Sequence, residues 1–271
     1  MSFHNTPVLI TGAGRGIGKR LAIGFARAGA RVGILGRSQA ELDVTRMEIE
    51  HAGGNSLRLR ADVRKYSELQ TAVARMTSVW GAVEVLIANA GVVGPVGPFV
   101  ESQPDQWQEV IETNVFGVMN AVRAVLPAMV ECRRGKILVV SGTGAATPRP
   151  LFAPYAASKA AVVRFAESVA EEVREQNVQV NSFFPGQAYT AMTDDILRAA
   201  DALSEIEVQE ARNVRLTGGL PPEKQIQLAL FLCSERSNHI TGKLIDISDN
   251  WKKLEQDNAR PDSYTLRRST K

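Results

Sequence analysis

Cysteine and histidine are scarce in this chain of 271 residues, which has two of the first and three of the second. Cys132 and Cys233 are far apart, and each lies in an apolar, helical context. We therefore expect reduced thiols in the core of a cytoplasmic protein, rather than a disulfide framework. His4, His51 and His239 share no ligand spacing, which argues against a metal site.

Long hydrophobic runs and strong charge asymmetry are missing as well. The sequence offers no run of about 20 apolar residues, so no membrane-spanning segment is predicted. The first five residues lack the basic and apolar regions of a signal peptide. The net charge is +3, and no long basic run precedes the C-terminus, which argues against nucleic acid as the main partner.

Short apolar runs alternate with helical patterns along most of the chain. The first run, Pro7–Thr11, is followed by a glycine-rich turn, a helix ending near Gly29 and a second apolar run at 31–35, which together form a βαβ unit. Such alternation predicts a parallel sheet covered by helices on both faces. Further helices are predicted near 39–52, 66–80, 104–132, 153–176 and 221–234, and further strands near 56–61, 83–88, 136–141, 178–183 and 243–248.

The pattern indicates one doubly wound α/β domain over residues 1–250, because no composition break or linker divides it. Residues 190–212 are polar and helical and interrupt the βα rhythm, so we interpret them as a lid over the substrate. Residues 251–271 form a charged C-terminal tail, which is either a disordered terminus or an ordered extension.

The glycine-rich turn between the first strand and helix is a candidate phosphate site. Glycine is needed where the backbone turns sharply and must approach a diphosphate closely. The following helix offers free N–H groups and the positive end of its dipole to the phosphates. The predicted cofactor-binding residues of this turn are Gly12, Gly14, Arg15, Gly16, Ile17 and Gly18.

The end of the second strand indicates which dinucleotide binds. An NAD site usually has an acidic residue here to bind the ribose 2′-hydroxyl, but this chain has Gly36, followed by Arg37 and Ser38. A guanidinium can pair with a 2′-phosphate, and Arg15 in the glycine turn can approach the same group. We therefore predict that NADP(H) is preferred over NAD(H).

Two more strand ends carry candidate cofactor contacts. Asp62, followed by Val63, can accept from the adenine amino group or cap the next helix. Asn89 can tie neighbouring strand ends together, and the small Ala90 and Gly91 leave space for the cofactor. Open α/β sheets bind ligands at these carboxyl ends.

Tyr155 and Lys159 are the candidate catalytic pair. They are four residues apart, so on a helix they lie on the same face. A phenol is a poor acid or base at neutral pH, but a lysine ammonium beside it favours the phenolate and lowers the pKa of the phenol. Such a pair can pass a proton to or from an alcohol oxygen.

Together these motifs are similar to those of the short-chain dehydrogenase/reductase family, and the resemblance covers about residues 6–248. The motifs occur in the order and spacing of the family. They are Gly12, Gly16 and Gly18, then Asn89-Ala90-Gly91, Asn114, Tyr155-x-x-x-Lys159 and Pro185-Gly186.

The resemblance implies a seven-stranded Rossmann sheet and hydride transfer between a nicotinamide and a carbonyl/alcohol pair. It implies that Tyr155 is the general acid in reduction, and that Lys159 lowers its pKa and holds the nicotinamide ribose. Asn114 would hold a water that links Lys159 to solvent. Pro185-Gly186 would lie against the nicotinamide, with Thr190 near its carboxamide or the diphosphate.

The resemblance also implies a homodimer or homotetramer, in which the two helices beside the active site pair with their mates across two-fold axes. We expect the small residues of these helices to allow close approach. They are Gly117, Ala121, Ala124, Ala156, Ala160 and Ala166.

One position departs from the family pattern. The family usually has a serine thirteen residues before the tyrosine, but Gly142 occupies that position here. The neighbouring Ser141 or Thr143 could supply the hydroxyl, since glycines at 142 and 144 give the loop conformational freedom. We favour Ser141 as the catalytic hydroxyl, and we expect a Gly142→Ser substitution to be tolerated.

The predicted function is NADP(H)-dependent interconversion of a ketone and a secondary alcohol. Gly142 also leaves open a cofactor-binding regulator or scaffold with impaired catalysis. The basic tail and the isoelectric point near 8.9 motivate a third, weaker hypothesis of RNA binding. The lid mixes apolar and charged residues, so the sequence does not define the small-molecule substrate.

Overall fold

Seven short strands, most of them uninterrupted apolar runs, pair in parallel into one sheet. The structure is a computed structural model that describes residues 1–256 and 263–267. The strand order is β3-β2-β1-β4-β5-β6-β7, and every neighbouring pair is parallel. This confirms the predicted doubly wound sheet. The strands are β1 Pro7–Thr11, β2 Arg31–Gly36, β3 Asn55–Arg60, β4 Val85–Ala88, β5 Gly135–Val140, β6 Val178–Phe184 and β7 Leu244–Asp246.

Helices cover both faces of the sheet and follow the strands in the predicted alternation. In chain order they are α1 Gly16–Arg27, α2 Gln39–His51, α3 Tyr66–Trp80, α4 Pro104–Ile111, α5 Gly117–Glu131, α6 Ala153–Glu172, α7 Ala191–Arg198, α8 Glu205–Thr217, α9 Pro222–Leu232 and α10 Trp251–Gln256.

The sheet separates two apolar cores because successive side chains of a strand point to opposite faces. In β1, Val8 and Ile10 pack with α1 and α9, whereas Leu9 packs with α3, α5 and α6. A third, smaller cluster lies at the carboxyl end of the sheet. It contains Val93, Phe152 and Tyr155 and is covered by apolar residues of the lid.

Two predicted helices differ from those in the structure. The single helix expected over 104–132 is interrupted by a π-helical turn, Glu112–Phe116, between α4 and α5. The lid predicted over 190–212 consists of α7 and α8 and continues to Thr217. The π-turn matters for the site, because it points Asn114 into the interior.

The described part of the tail packs against the sheet. Within α10, Leu254 is buried. Further along, the Tyr264 carbonyl accepts from the Leu244 N–H of β7 at 2.7 Å, and the Leu266 N–H donates to the Glu167 carboxylate at 2.7 Å. The rest of the predicted tail lies outside the described residues.

One expectation about burial was wrong, and a second fails for half of the residues that it named. Cys233 is buried, but Cys132 is exposed at the end of α5, so only one of the two thiols belongs to the core. Among the small residues expected at a subunit interface, three are half-buried, Ala124, Ala156 and Ala160, and three are buried within this chain, Gly117, Ala121 and Ala166.

One helical stretch in the described residues, Pro104–Glu131, is long and apolar enough to cross a membrane by length and composition alone. Half of its most apolar window is buried inside the protein, as in a helix that packs in a core.

Candidate active site

A cavity of about 720 Å³ opens at the carboxyl ends of the strands. It spans the point where the strand order reverses between β1 and β4, which is where open α/β sheets bind ligands. Predicted site residues on its wall are Gly12, Gly14, Arg15, Gly16, Ile17, Arg37, Ser38, Asp62, Val63, Asn89, Ala90, Gly91, Ser141, Tyr155, Lys159, Pro185, Gly186 and Thr190. Gly18 and Asn114, also predicted, do not line it.

The glycine turn forms a cradle that side chains would fill. Gly12 has a φ of +65°, and a Cβ there would lie 2.9 Å from the Ala90 Cα. Arg15 is the N-cap of α1 without a side-chain hydrogen bond to the helix, so first-turn N–H groups remain available to an anion. A Cβ on Gly18 would lie 2.2 Å from the Gly12 carbonyl oxygen, so Gly18 allows the helix to pack against the turn instead of forming the wall. The turn therefore fits a dinucleotide diphosphate.

Asn89 ties β1 to β4 beneath this turn, as the sequence predicted. Its Nδ2 donates to the Thr11 carbonyl at 2.9 Å and to the Gly12 carbonyl at 3.2 Å. The Thr11 hydroxyl, which the sequence analysis missed, accepts from the N–H groups of Asn89 and Ala90. The floor of the cradle is thus fixed by hydrogen bonds between neighbouring strand ends.

The end of the cavity near β2 holds both basic candidates and one acid that sequence reasoning missed. Arg15 forms an ion pair with Glu41 at 3.2 Å, and both side chains are largely exposed. The Ser38 hydroxyl accepts from the Glu41 N–H and caps α2. Arg37 is exposed at the cavity wall. An anion placed here would find two guanidinium groups and one carboxylate.

The Asp62 carboxylate is hydrogen-bonded to Arg64. The Arg64 side chain donates to both carboxylate oxygens, from Nε to Oδ1 at 3.1 Å and from Nη2 to Oδ2 at 2.6 Å, and this hydrogen bonding lowers the pKa of Asp62 below its ordinary value. The Arg64 backbone N–H also donates to the same carboxylate, at 3.0 Å. The carboxylate is therefore ionised and oriented at the cavity wall.

Tyr155 and Lys159 lie on the inner face of α6, as their spacing predicted. Lys159 Nζ donates to the Val140 carbonyl at 2.9 Å and lies 5.7 Å from the centre of the Tyr155 ring. Burial raises the pKa of Tyr155 to about 12, with Arg149 opposing the rise, and burial lowers the pKa of Lys159 to about 8. The pKa of this phenol is therefore raised rather than lowered, because burial outweighs the opposing charge of Arg149.

The Asn114 side-chain amide forms hydrogen bonds to groups inside the protein. Its Oδ1 accepts from the Val92 N–H at 2.8 Å, and its Nδ2 donates to the Val92 carbonyl and to Ser158 Oγ, each at 2.9 Å. Ser158 in turn donates to the Tyr155 carbonyl at 2.7 Å. Asn114 thus connects the loop after β4 to the helix that carries the catalytic pair.

The loop after β5 explains why position 142 is glycine. A Cβ on Gly142 would lie 2.4 Å from the Tyr155 hydroxyl, so a serine here would require the ring or the loop to shift, which argues against the expectation that it is tolerated. Ser141 Oγ is enclosed and has no hydrogen-bond partner within the described residues. The Thr143 hydroxyl accepts from the Arg149 guanidinium at 2.8 Å.

The opposite wall comes from the segment after β6. Pro185, Gly186 and Thr190 all line the cavity, as predicted. Gln225 donates to the Pro185 carbonyl at 3.0 Å, which fixes the segment to α9. Thr190 caps α7 and lies so close to the glycine turn that a Cβ on Gly16 would approach its methyl group to 2.9 Å.

Arg149 and two acids of the lid complete the far end of the cavity, and sequence reasoning missed all three. Arg149 follows the β5 loop, while Glu207 and Glu210 belong to α8. No motif spacing marks these residues, because their positions depend on how the loop and the lid fold over α6. Met192 and Ile196 of α7 add apolar surface beside them.

A short chain dehydrogenase family model matches residues 6–201. The chain belongs to the short-chain dehydrogenase family. It is 35% identical over 237 residues to oxidoreductase UcpA of Salmonella typhimurium, which covers 86% of this chain and 89% of the relative.

Solved structures of this family are similar to this chain over about nine tenths of its length. An actinorhodin polyketide ketoreductase with NADPH has a TM-score of 0.82 at 29% identity, covering 91% of this chain and 97% of the other. A 3-oxoacyl-[acyl-carrier protein] reductase with bound NAD from Brucella melitensis has a TM-score of 0.76 at 31% identity, covering 90% of each chain. This chain is therefore a short-chain dehydrogenase/reductase that acts on CH–OH or C=O groups.

Proposed function

We propose that this short-chain dehydrogenase/reductase interconverts a ketone and a secondary alcohol with NADP(H), and that Tyr155 is its general acid and base. The observation that carries the proposal is the placement of Tyr155 and Lys159 on the wall of the cavity that begins at the glycine cradle. The cradle, the open N–H groups of α1 and the small residues after β4 fit a dinucleotide.

The cofactor, when bound, would supply the hydride for reduction or accept it in oxidation. The glycine turn would hold its diphosphate, and Lys159 and the Pro185-Gly186 segment would bound its nicotinamide end. In reduction Tyr155 would donate its phenol proton to the carbonyl oxygen and become a phenolate. A phenol pKa of about 12 keeps Tyr155 protonated at neutral pH, which is the form that can donate this proton.

The preference for NADP(H) rests on charge. Gly36 stands where an acid would bind the ribose 2′-hydroxyl, and Arg37 lies at the cavity wall. Glu41 opposes a 2′-phosphate, but its partner Arg15 is exposed, and an exposed ion pair of this kind contributes little to stability. Arg15 can therefore turn to a phosphate at small energetic cost.

The substrate end suits a carbonyl compound with both apolar and polar parts. The similar proteins named above include a polyketide ketoreductase and a 3-oxoacyl-[acyl-carrier protein] reductase. We therefore propose a screen of NADPH consumption over 3-oxoacyl thioesters, polyketide-like diketones, simple ketones and sugars. At least one carbonyl compound should be reduced.

The decisive variant is Tyr155→Phe, which keeps the ring and removes the proton. NADPH binding, followed by cofactor fluorescence, should stay within a few-fold, while turnover falls by ~10²–10⁴. Retained turnover would eliminate Tyr155 as the acid. If the unmodified protein binds NADPH and reduces nothing, the binding-only alternative motivated by Gly142 is correct.

A further inference from the structure

Two contacts hold Arg149 beside the catalytic tyrosine. Its Nη1 donates to the Thr143 hydroxyl at 2.8 Å, and its guanidinium carbon lies 3.6 Å from the centre of the Phe152 ring. Phe152 is fully buried at the start of α6, so it provides a fixed surface for this stacking. The guanidinium carbon is thereby placed 5.9 Å from the centre of the Tyr155 ring.

The positive charge of Arg149 is not cancelled by a direct ion pair. Within the part of the chain that the structure describes, no carboxylate lies within 4.0 Å of its guanidinium. Burial lowers the pKa of Arg149, while the negative charges of Tyr155, Glu207 and Glu210 raise it again. A guanidinium remains protonated in proteins, so the charge persists over the whole working pH range.

Lys159, the other cation near the ring, is a less constant charge. Burial lowers its pKa to about 8, so above that pH it is largely neutral. Its Nζ is also committed to the Val140 carbonyl. Near and above pH 8, Arg149 is therefore the dependable cation beside Tyr155.

The loop after β5 offers no free hydroxyl to stabilise a charge on the Tyr155 oxygen. Gly142 has no side chain, Ser141 Oγ is enclosed, and the Thr143 hydroxyl accepts from Arg149. Thr143 thus holds the charge of Arg149 beside the Tyr155 ring, and the loop offers no free hydroxyl there. Other charged groups on the same cavity wall are Asp195 of α7 and Glu207 and Glu210 of α8.

We propose that Arg149 is a positioning residue that stabilises the phenolate of Tyr155 and so sets the pH range in which the enzyme works. This rests on the proposed function of Tyr155. When the phenol O–H bond breaks and its proton passes to the substrate oxygen, the negative charge stays on the tyrosine oxygen. An opposite charge within ~4–6 Å typically favours the ionised form of a group by 1–3 pH units.

The test follows the ionisation of Tyr155 directly, without turnover. The chain has four tyrosines, so uniform labelling with 3,5-difluorotyrosine gives few fluorine resonances. The fluorine atoms also lower the pKa of each phenol into the pH range in which the protein stays folded. The Tyr155 resonance is identified by its loss in Tyr155→Phe. Arg149→Met, which keeps an apolar contact with Phe152, should raise its titration midpoint by about one pH unit.

Three further variants make the result specific. Arg149→Lys keeps the charge, so its Tyr155 titration midpoint should stay close to that of the unmodified protein. Thr143→Val releases the guanidinium and should give a smaller shift in the same direction, which also serves if Arg149→Met does not fold. Arg174→Met removes an exposed arginine that pairs with Glu171, and should leave the midpoint unchanged.

The pH profile of alcohol oxidation should agree, with the midpoint of kcat/KM raised in Arg149→Met. An unchanged Tyr155 midpoint in that variant overturns the proposal. So does a raised KM for a carboxylate-bearing substrate without a change in the midpoint, because Arg149 would then bind substrate instead. Absence of turnover with every carbonyl compound would refute the proposed function alone, since the fluorine titration does not depend on it.

Discussion

At Gly142 a side chain would enter space that the Tyr155 hydroxyl already occupies. The Cβ of a Gly142→Ser variant would lie 2.4 Å from that oxygen, so the ring must move or the loop must shift. A displacement of about 1 Å near the reacting atoms can lower turnover ~10²-fold. We expect kcat to fall on that scale, with NADPH affinity within a few-fold.

A matched control is Ala157→Ser, which adds a hydroxyl on the exposed side of α6 and should leave kcat unchanged. If Gly142→Ser instead turns over faster than the unmodified enzyme, the restored hydroxyl outweighs the steric conflict. The interpretation that the chain simply lacks a serine at position 142 would then be right. The sequence shows that the serine is absent, but it does not show that the Tyr155 hydroxyl occupies the space that a side chain at position 142 would need.

Cofactor choice also depends on single residues. If Arg37 and Arg15 bind a 2′-phosphate, NADPH should bind at least tenfold tighter than NADH, a difference of ~1.4 kcal/mol. The double variant Gly36→Asp with Arg37→Leu should reverse the order. The backbone tolerates this change, since a Cβ on Gly36 meets only the Leu42 side chain, whose Cδ2 lies 3.4 Å away.

Fluorescence titration with both cofactors measures this preference. Arg27→Leu removes the same charge from an exposed position at the end of α1 and should not change the ratio of the two affinities. Equal affinities in the unmodified protein would refute the NADP(H) assignment. Glu41, which sequence reasoning missed, is the residue that would then explain the result.

At the scale of elements, the sequence predicted the sheet well, because strands buried on both faces appear as continuous apolar runs. It missed the π-turn Glu112–Phe116, whose residues are compatible with an ordinary helix. The turn is instead fixed by tertiary contacts, above all the hydrogen bonds between Asn114 and Val92. Local pattern alone does not contain such contacts.

The start of β5 places a lysine in the interior, and this makes stability depend on pH. Lys136 Nζ donates to Ser237 Oγ at 3.3 Å, and burial lowers its pKa to about 8, as it does for Lys159. In the unfolded chain both lysines stay protonated up to about pH 10.5. Between pH 8 and 9 the unfolded chain therefore binds more protons, so stability rises with pH.

Cys233 and Tyr155 oppose this trend at higher pH. Burial raises the pKa of each to about 12, so the unfolded chain loses a proton that the folded chain keeps, above pH ~9 for the thiol and above pH ~10 for the phenol. Urea unfolding of the cofactor-free protein should show maximal stability at pH ~10, where these losses balance the two lysines. Lys136→Met should remove on the order of 1 kcal/mol of the rise between pH 8 and 9.

Lys65→Met is the control for this prediction, since Lys65 is exposed and pairs only at the surface with Glu68. This variant should show the full rise in the free energy of unfolding between pH 8 and 9. If Lys136→Met shows the same rise, Lys136 is not the group whose proton is lost on folding.

At the scale of the whole molecule, the described tail closes one edge of the sheet. The Leu244 N–H of β7 donates to Tyr264, and Lys243 Nζ donates to the Ser263 carbonyl at 2.9 Å. The Glu167 carboxylate, nearly buried on α6, pairs with Arg164 and accepts from the Leu266 N–H. An edge covered in this way is less available for strand pairing with another molecule.

Association is then expected through helices, and we propose a homodimer or homotetramer built on α5 and its π-turn. About half of the apolar window of the Pro104–Glu131 stretch is not buried within this chain. Phe116 lies there with 54% of its surface exposed, and this apolar side chain is the contact that we propose for the interface. Of the small residues expected to allow close approach on this helix, Gly117 and Ala121 face the core, and only Ala124 is half-buried.

Light scattering at micromolar concentration should therefore give the mass of two or four chains, and Phe116→Glu should shift the protein to a smaller species. The shift follows because a charge buried without a partner at a two-fold interface is unfavourable and occurs in both subunits. Met47→Glu is the matched control, since Met47 has a similar exposure, 55%, but lies on α2. If the unmodified protein is a monomer, or if both variants dissociate it equally, the exposed face of α5 is not the interface.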